Sequence, residues 1–404
     1  MRAQSSPILP LVRWLLCAAA FAAVVGTAGC ATTPPSNLPP PAIPQDDTSP
    51  FTDAATAQVN VFGEMNGQRH GVNMTVGDQG FIQNTYPDEG YDADVTVSPN
   101  GKWLAFDSTR DSEHPAIYLQ RVDGTSVTKL TADDSDNAFP TFSPDGRQIA
   151  FCSTRSGVWN LYVTDIDGRN TVQITNGQTQ CIHPSFSPDG TKLAYCALGQ
   201  RSDEWELWVV DLGTGEKQQI GYGLFPSFCP TKNGTYRIAF QRARQRGSRW
   251  FTLWTLDLVD GEARHVTEVA VSNNAAIVSP SWSPDGKRLV FATILDPNHP
   301  QQRRRGEQDV WTIAADGSDR RRLTDGNGVN LSPVWSSDNR VYFISDRGGN
   351  ECVWSVRPRL DSILTASAQP QQPQAAPPQS TVAPTAPTAA PQEVGAADTD
   401  DADK

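Results

Sequence analysis

Linear signatures of catalysis are missing from this chain. It contains no Gly-x-Ser-x-Gly nucleophile elbow, no His-Glu-x-x-His pair and no glycine-rich phosphate loop. That removes the usual local motifs of serine hydrolases, zinc peptidases and nucleotide-binding enzymes. Histidine is scarce: His70, His114, His183, His265 and His299 are scattered, and one histidine in any one place does not make a metal site. No cofactor is expected. Beyond residue 30 the cysteines are Cys152, Cys181, Cys196, Cys229 and Cys352. Their number is odd and their spacing irregular, which implies neither a zinc signature nor a disulfide framework. Basic charge is in deficit, with a formal net charge of −12, so nucleic acid is not an expected partner. No apolar run crosses a bilayer comfortably either, since the leader's stretch from Trp14 to Val25 falls short of the roughly 20 residues a spanning helix needs.

That short run fits a secretory signal peptide over residues 1–29, with Arg2 and Arg13 ahead of it and Gly26-Thr27-Ala28-Gly29 behind. Cys30 follows directly. A cysteine after Ala-Gly resembles the lipobox of bacterial lipoproteins, although Thr27 stands where Leu, Ile or Val is usual. Cys30 is therefore expected to carry lipid and to begin the mature chain, with ordinary secretion as the alternative. Acyl chains would tie the protein to a membrane, each buried methylene contributing about 0.8 kcal/mol. Ala31 and Thr32 are not the aspartate that retains lipoproteins at an inner membrane, which points to the periplasmic side of an outer membrane if there are two. Residues 30–79 begin with Pro34, Pro35, Pro39, Pro40, Pro41, Pro44 and Pro50 and read as an extended tether. Residues 361–404, rich in Ala, Pro, Gln and Thr and ending among Asp398, Asp400, Asp401 and Asp403, read as a disordered tail.

Residues 80–360 hold an internal repeat. Phe139-Pro140-Thr141-Phe142-Ser143-Pro144-Asp145-Gly146 returns as His183-Pro184-Ser185-Phe186-Ser187-Pro188-Asp189-Gly190 and as Ser279-Pro280-Ser281-Trp282-Ser283-Pro284-Asp285-Gly286. Weaker copies lie around Ser98, Cys229 and Ser336, so the marker falls at 98, 143, 187, 229, 283 and 336. Six copies at this period predict an all-β, six-bladed propeller. Ser-Pro-Asp-Gly turns the inner strand into the second, and Asp123-Gly124, Asp167-Gly168, Asp260-Gly261 and Asp316-Gly317 turn the third into the fourth. Turn geometry also accounts for Asp165-Ile166-Asp167-Gly168 better than a calcium loop does, because the other ligands are missing. The spacing from Thr131 to Pro140, Thr175 to Pro184 and Thr324 to Pro333, carried upstream, puts Asp94 at the proline position and Thr85 at the threonine. Phe81 to Thr85 then forms a fourth strand that closes the sixth blade, removing the open edges; Ile363-Leu364-Thr365 is the competing closure.

These repeats resemble the TolB-like β-propeller repeat family across nearly all of residues 80–360. The resemblance implies the fold strongly and a function only weakly. The family's namesake binds a peptidoglycan-associated lipoprotein and has an N-terminal α/β domain, for which residues 51–79 are too few, and similar propellers precede the hydrolase domain of some peptidases, which is not expected here. His183 sits near the mouth of the pore, where a few lyases with similar repeats gather histidines around a metal. Arg110, Arg155 and Arg347 recur after the second strand and are expected to pair with acidic neighbours.

The charge that does not repeat is the guide to function. Loops entering blades one and two carry Asp88, Glu89, Asp92 and Asp94, then Asp133, Asp134 and Asp136. Longer loops in blades four and five carry Arg242, Arg244, Arg246 and Arg249, then Arg303, Arg304 and Arg305. A face charged oppositely across the pore would dock an envelope protein, peptide or cell-wall component, without enzymatic activity. Three readings stand beside it: a solvated rim, a structural spacer, and a pore-sited lyase or hydrolase of carbohydrate or peptide assembled from distant loops.

Overall fold

Each repeat folds into a four-stranded antiparallel sheet, because its apolar runs are of strand length and its turns are held by side-chain caps. In the computed structural model the Ser143 hydroxyl donates to Asp145 Oδ1 at 2.6 Å and accepts the Gln148 N–H at 2.9 Å. Ser98, Ser187 and Ser283 repeat this arrangement. Gly101, Gly146, Gly190 and Gly286 leave the turn at φ of 68° to 73°, and Asn339 does so in the sixth copy at 61°. Asparagine is one of the few other residues that tolerate this conformation. The repeated Leu-Thr has a similar local cause. Thr131, Thr175 and Thr324 accept the main-chain N–H of Ile117, Leu161 and Val310 in the third strand of their own blades.

The structure describes residues 64–65, 68–69 and 80–358, apart from 133, 232–233, 245–249, 273–274, 296–307 and 327. The expected signal peptide, Cys30 and the expected C-terminal tail lie outside the described residues, as does most of the expected tether; Glu64–Met65 and Gln68–Arg69 pair as a short hairpin. Six four-stranded sheets form the propeller. Their inner strands are Asp92–Val97, Asn137–Phe142, Cys181–Phe186, Leu224–Phe228, Ala275–Trp282 and Asn330–Trp335. Neighbouring blades pack in sequence order and the sixth returns to the first. Phe142, Phe186, Phe228, Trp282 and Trp335 are buried, each contributing roughly 1.5–3 kcal/mol by its removal from water.

The ring closes through the N-terminal strand. Ile82–Gln83 pairs with Cys352–Val356, setting Gln83 opposite Trp354 and Ile82 opposite Ser355. Thr85 accepts the Val353 N–H at 2.8 Å, the same bond its counterparts make, so it holds the repeat's threonine position. Asp94 does not hold the proline position. It is the counterpart of Phe139, His183 and the other residues before proline, and Val95 stands where the prolines do. The loop entering blade one is longer by one residue, which the constant spacing drawn from the sequence did not allow for. Part of the long intervals in blades four and five lies in their second strands, Tyr236–Arg244 and Arg288–Leu295, which outrun the six-residue Gln148–Ser153 of blade two.

Candidate functional site

Proline shapes the pore. It cannot donate to a sheet ladder and disfavours the helical region for the residue before it, so the inner strands of blades two to six carry a bulge there, and blade one keeps the same bulge with Val95 at that position. Register slips between Ala93 and Thr96, Ala138 and Thr141, Ile182 and Ser185, and likewise in the other three blades. The first residue of each bulge is left-handed: Asp94, Phe139, His183, Phe225, Ser279 and Ser332 have φ between 42° and 57°. Non-glycine residues in this region cost on the order of 1–3 kcal/mol each, and such residues concentrate at functional sites. All six line a central cavity of about 580 Å³.

The waist has two unlike halves. Along one arc His183 lies between two phenyl rings, its centroid 4.2 Å from Phe139 and 4.2 Å from Phe225. Both imidazole nitrogens are buried without a hydrogen-bond partner, and burial depresses the ring's pKa to about 3. Ser279, Ser332 and Asp94 complete the ring. Ser332 donates to Asp94 Oδ1 at 2.8 Å, yet burial still pushes the Asp94 carboxyl up to about 7.

Behind the waist, the second strands place Asp107, Cys152 and Cys196 in equivalent register. Each accepts the N–H of the bulge residue in the next blade: Phe139 for Asp107, His183 for Cys152 and Phe225 for Cys196. The thiols thus serve as acceptors for a main-chain group that the bulge turns away from its own ladder. All five described cysteines are buried and free. Asp107 is only 3% exposed, its Oδ1 has no partner, and burial together with Asp94 holds its pKa well above the carboxylate range. Burial and Asp346 raise Glu351 to about 7, and Tyr91 is raised by burial, then by Asp107, Asp94, Glu351 and Asp136. Among the described residues, no group of three or more potential metal ligands gathers.

Some of the charges singled out from the sequence fall within the described residues. Asp92 is fully buried and ion-paired to Arg110 at 2.6 Å. Asp94 lines the waist instead of the rim. Asp134 is exposed, and Asp136 binds His114 at 2.7 Å, raising the histidine pKa. Arg242 stacks over Trp254, 5.6 Å from the ring centroid, and the backbone of Arg244 pairs with Trp250. Asp133, Arg246, Arg249, Arg303, Arg304 and Arg305 lie outside the described residues. His183, expected near the pore mouth, is the third residue of its strand and lines the central cavity. Of the recurring arginines, Arg110 and Arg347 pair with acids as expected, with Asp92 at 2.6 Å and Asp325 at 3.6 Å, and Arg155 and Arg347 also bond Asn137 and Asn330 at 3.0 Å. All three also lie over aromatic rings of their own blade. Asp107, Glu351 and the two waist phenylalanines escaped sequence reasoning. Comparing the residue before proline across repeats would have exposed the phenylalanines, but no local signal marks Asp107.

A model of the tricorn protease N-terminal β-propeller domain matches residues 160–372, just over half of the chain. The dipeptidyl peptidase IV N-terminal region matches residues 107–200. An uncharacterised protein of Agrobacterium fabrum is 36% identical over 22% of this chain and 28% of its own length. The Tol-Pal system protein TolB of Alcanivorax borkumensis is 26% identical over 22% and 18%, respectively. Dipeptidyl-peptidase 5 of Porphyromonas gingivalis is 28% identical over 21% and 12%. The chain thus spans less than a third of the length of these curated relatives. Among solved structures, a TolB-type protein from Agrobacterium tumefaciens aligns over 66% of this chain and 90% of its own, with 20% identity and a TM-score of 0.49. An oligogalacturonate lyase from Vibrio parahaemolyticus aligns over 69% and 94%, with 16% identity and a TM-score of 0.47.

Proposed function

This chain belongs to the family of the tricorn protease N-terminal β-propeller domain, with TolB-like repeats, and from that premise we propose that it is a non-enzymatic binding propeller of the bacterial cell envelope. It takes a protein, peptide or cell-wall partner on its loop face, with the pore mouth at the centre of contact. Lipid on Cys30 holds it to the membrane.

The observation that carries this reading is the build of the waist. Three aromatic rings line one arc and hydrogen-bonding groups the other, a combination that gives contact area and direction together. The titratable groups there are arranged unlike an acid–base couple. His183 packs against phenyl rings where a hydrolase places a carboxylate to orient and charge its histidine, and Asp94 is hydrogen-bonded to a serine. The matched families include the N-terminal propellers of peptidases and a member of the Tol-Pal system, which favours a polypeptide partner.

Crosslinking in intact cells, followed by purification through a C-terminal tag, tests the proposal. A recurrent envelope partner is expected with the parent chain, and its loss is expected when Arg242, Arg244, Arg303 and Arg304 are all changed to Glu. Retention of every partner by that variant would remove the loop face from recognition. Turnover of a peptide or oligosaccharide by the purified chain would overturn the non-enzymatic reading.

A further inference from the structure

We infer that the pore waist is a receptor for a lysine side chain presented by the partner polypeptide. This rests on the binding reading above and deepens it. The halves of the waist match the halves of lysine: a four-carbon stem packs on Phe139, His183 and Phe225, while the ammonium reaches the arc of Ser279, Ser332 and Asp94. An ammonium has three donors and no acceptor, and that arc offers a carboxylate with two hydroxyl groups. Ser332 already spends its proton on Asp94, so its lone pairs face an incoming donor.

Charge selects the same ligand. Among the described residues no salt bridge reaches Asp94 or Asp107; Arg110 and Arg121, the arginines of this blade, are committed to Asp92 and Asp123. Asp107 keeps one oxygen without a hydrogen-bond partner although almost no solvent touches it, which is costly for an acid in an apolar setting. Nothing on the opposite arc repels a cation, because burial keeps His183 neutral. An anionic group would meet the Asp94 carboxyl, and a purely apolar one would leave Asp94 and both serines without new partners. The cavity volume is also within the usual range for small-ligand pockets, roughly 300–1,000 Å³.

The test uses the full mature chain and three blocked tripeptides, acetyl-Gly-Lys-Gly-amide and its norleucine and glutamate analogues, titrated by calorimetry or by NMR of the histidine ring. Saturable binding of the lysine peptide is expected, about tenfold tighter than that of the norleucine peptide, which keeps the stem and loses the charge. No binding of the glutamate peptide is expected. Asp94→Asn should weaken lysine binding about tenfold while preserving the fold, since asparagine accepts the left-handed φ of 42° that Asp94 adopts. Phe225→Ala probes the aromatic arc and should weaken the lysine and norleucine peptides alike. Equal binding of lysine and norleucine peptides, an unchanged affinity in folded Asp94→Asn, or no saturable binding of the lysine peptide would each overturn the inference. If cells still yield a partner that depends on the loop arginines, the binding reading survives that failure.

Discussion

Asp94 and His183 lie on one ring and are pushed in opposite directions by the same cause, burial. An aspartate in an unfolded chain titrates near 3.9 and Asp94 near 7 when folded, so between those values the native state holds the extra proton. Stability from this group is therefore present at low pH and lost as pH rises from about 4 to 7. His183 works the other way. Unfolded histidine takes its proton near 6.5, whereas the buried ring takes one only near 3, so its contribution is lost as pH falls through that window. Asp94→Asn is expected to raise the melting temperature above the parent's at pH 8, by about 2–4 °C for each 1 kcal/mol relieved, and to make no difference near pH 4. Thermal unfolding followed by circular dichroism at several pH values measures this. A gain of equal size at both ends would mean that Asp94 keeps one charge state throughout.

The strand Ile82–Gln83 shows how a short element can matter beyond its length. It contributes only two paired positions, yet Thr85 behind it accepts the Val353 N–H and donates to Asp92. This ties the closing strand to blade six and to the first strand of blade one. Replacing Thr85 by Val keeps the shape, leaves a buried N–H and a carboxylate oxygen without their partner, and should cost about 1–3 kcal/mol. Urea unfolding would register it as a lower midpoint at unchanged slope; an unchanged midpoint would mean that the closure contributes little. The same element marks how far sequence spacing reaches. Thr85 was legible because its role is a local bond repeated in three other blades. Asp94 was misplaced by one because loop length, unlike turn chemistry, is free to vary.

For the whole molecule, the proposed membrane attachment rests on lipid at Cys30 and is tested apart from the propeller's own stability. Cys30→Ala should move the protein from the membrane to the soluble envelope fraction and abolish labelling by a fatty-acid analogue, with the propeller's unfolding unaltered. Persistent labelling would place the lipid elsewhere, and loss of export would implicate the leader. At this scale the amino-acid sequence by itself determined the number of blades, the strands within them and the closing strand. Ser-Pro-Asp-Gly, Leu-Thr and Asp-Gly act over a few residues, and repetition turns local turns into architecture. Tertiary structure alone decided the site. Six residues some 40 to 55 positions apart meet at one waist because the same bulge recurs in each inner strand, at a proline in five blades and at Val95 in the first, and what each presents there depends on ring closure. Burial then sets their charge, and burial belongs to the assembled ring: the same carboxylate that titrates near 7 in Asp94 would be an ordinary surface acid one loop away.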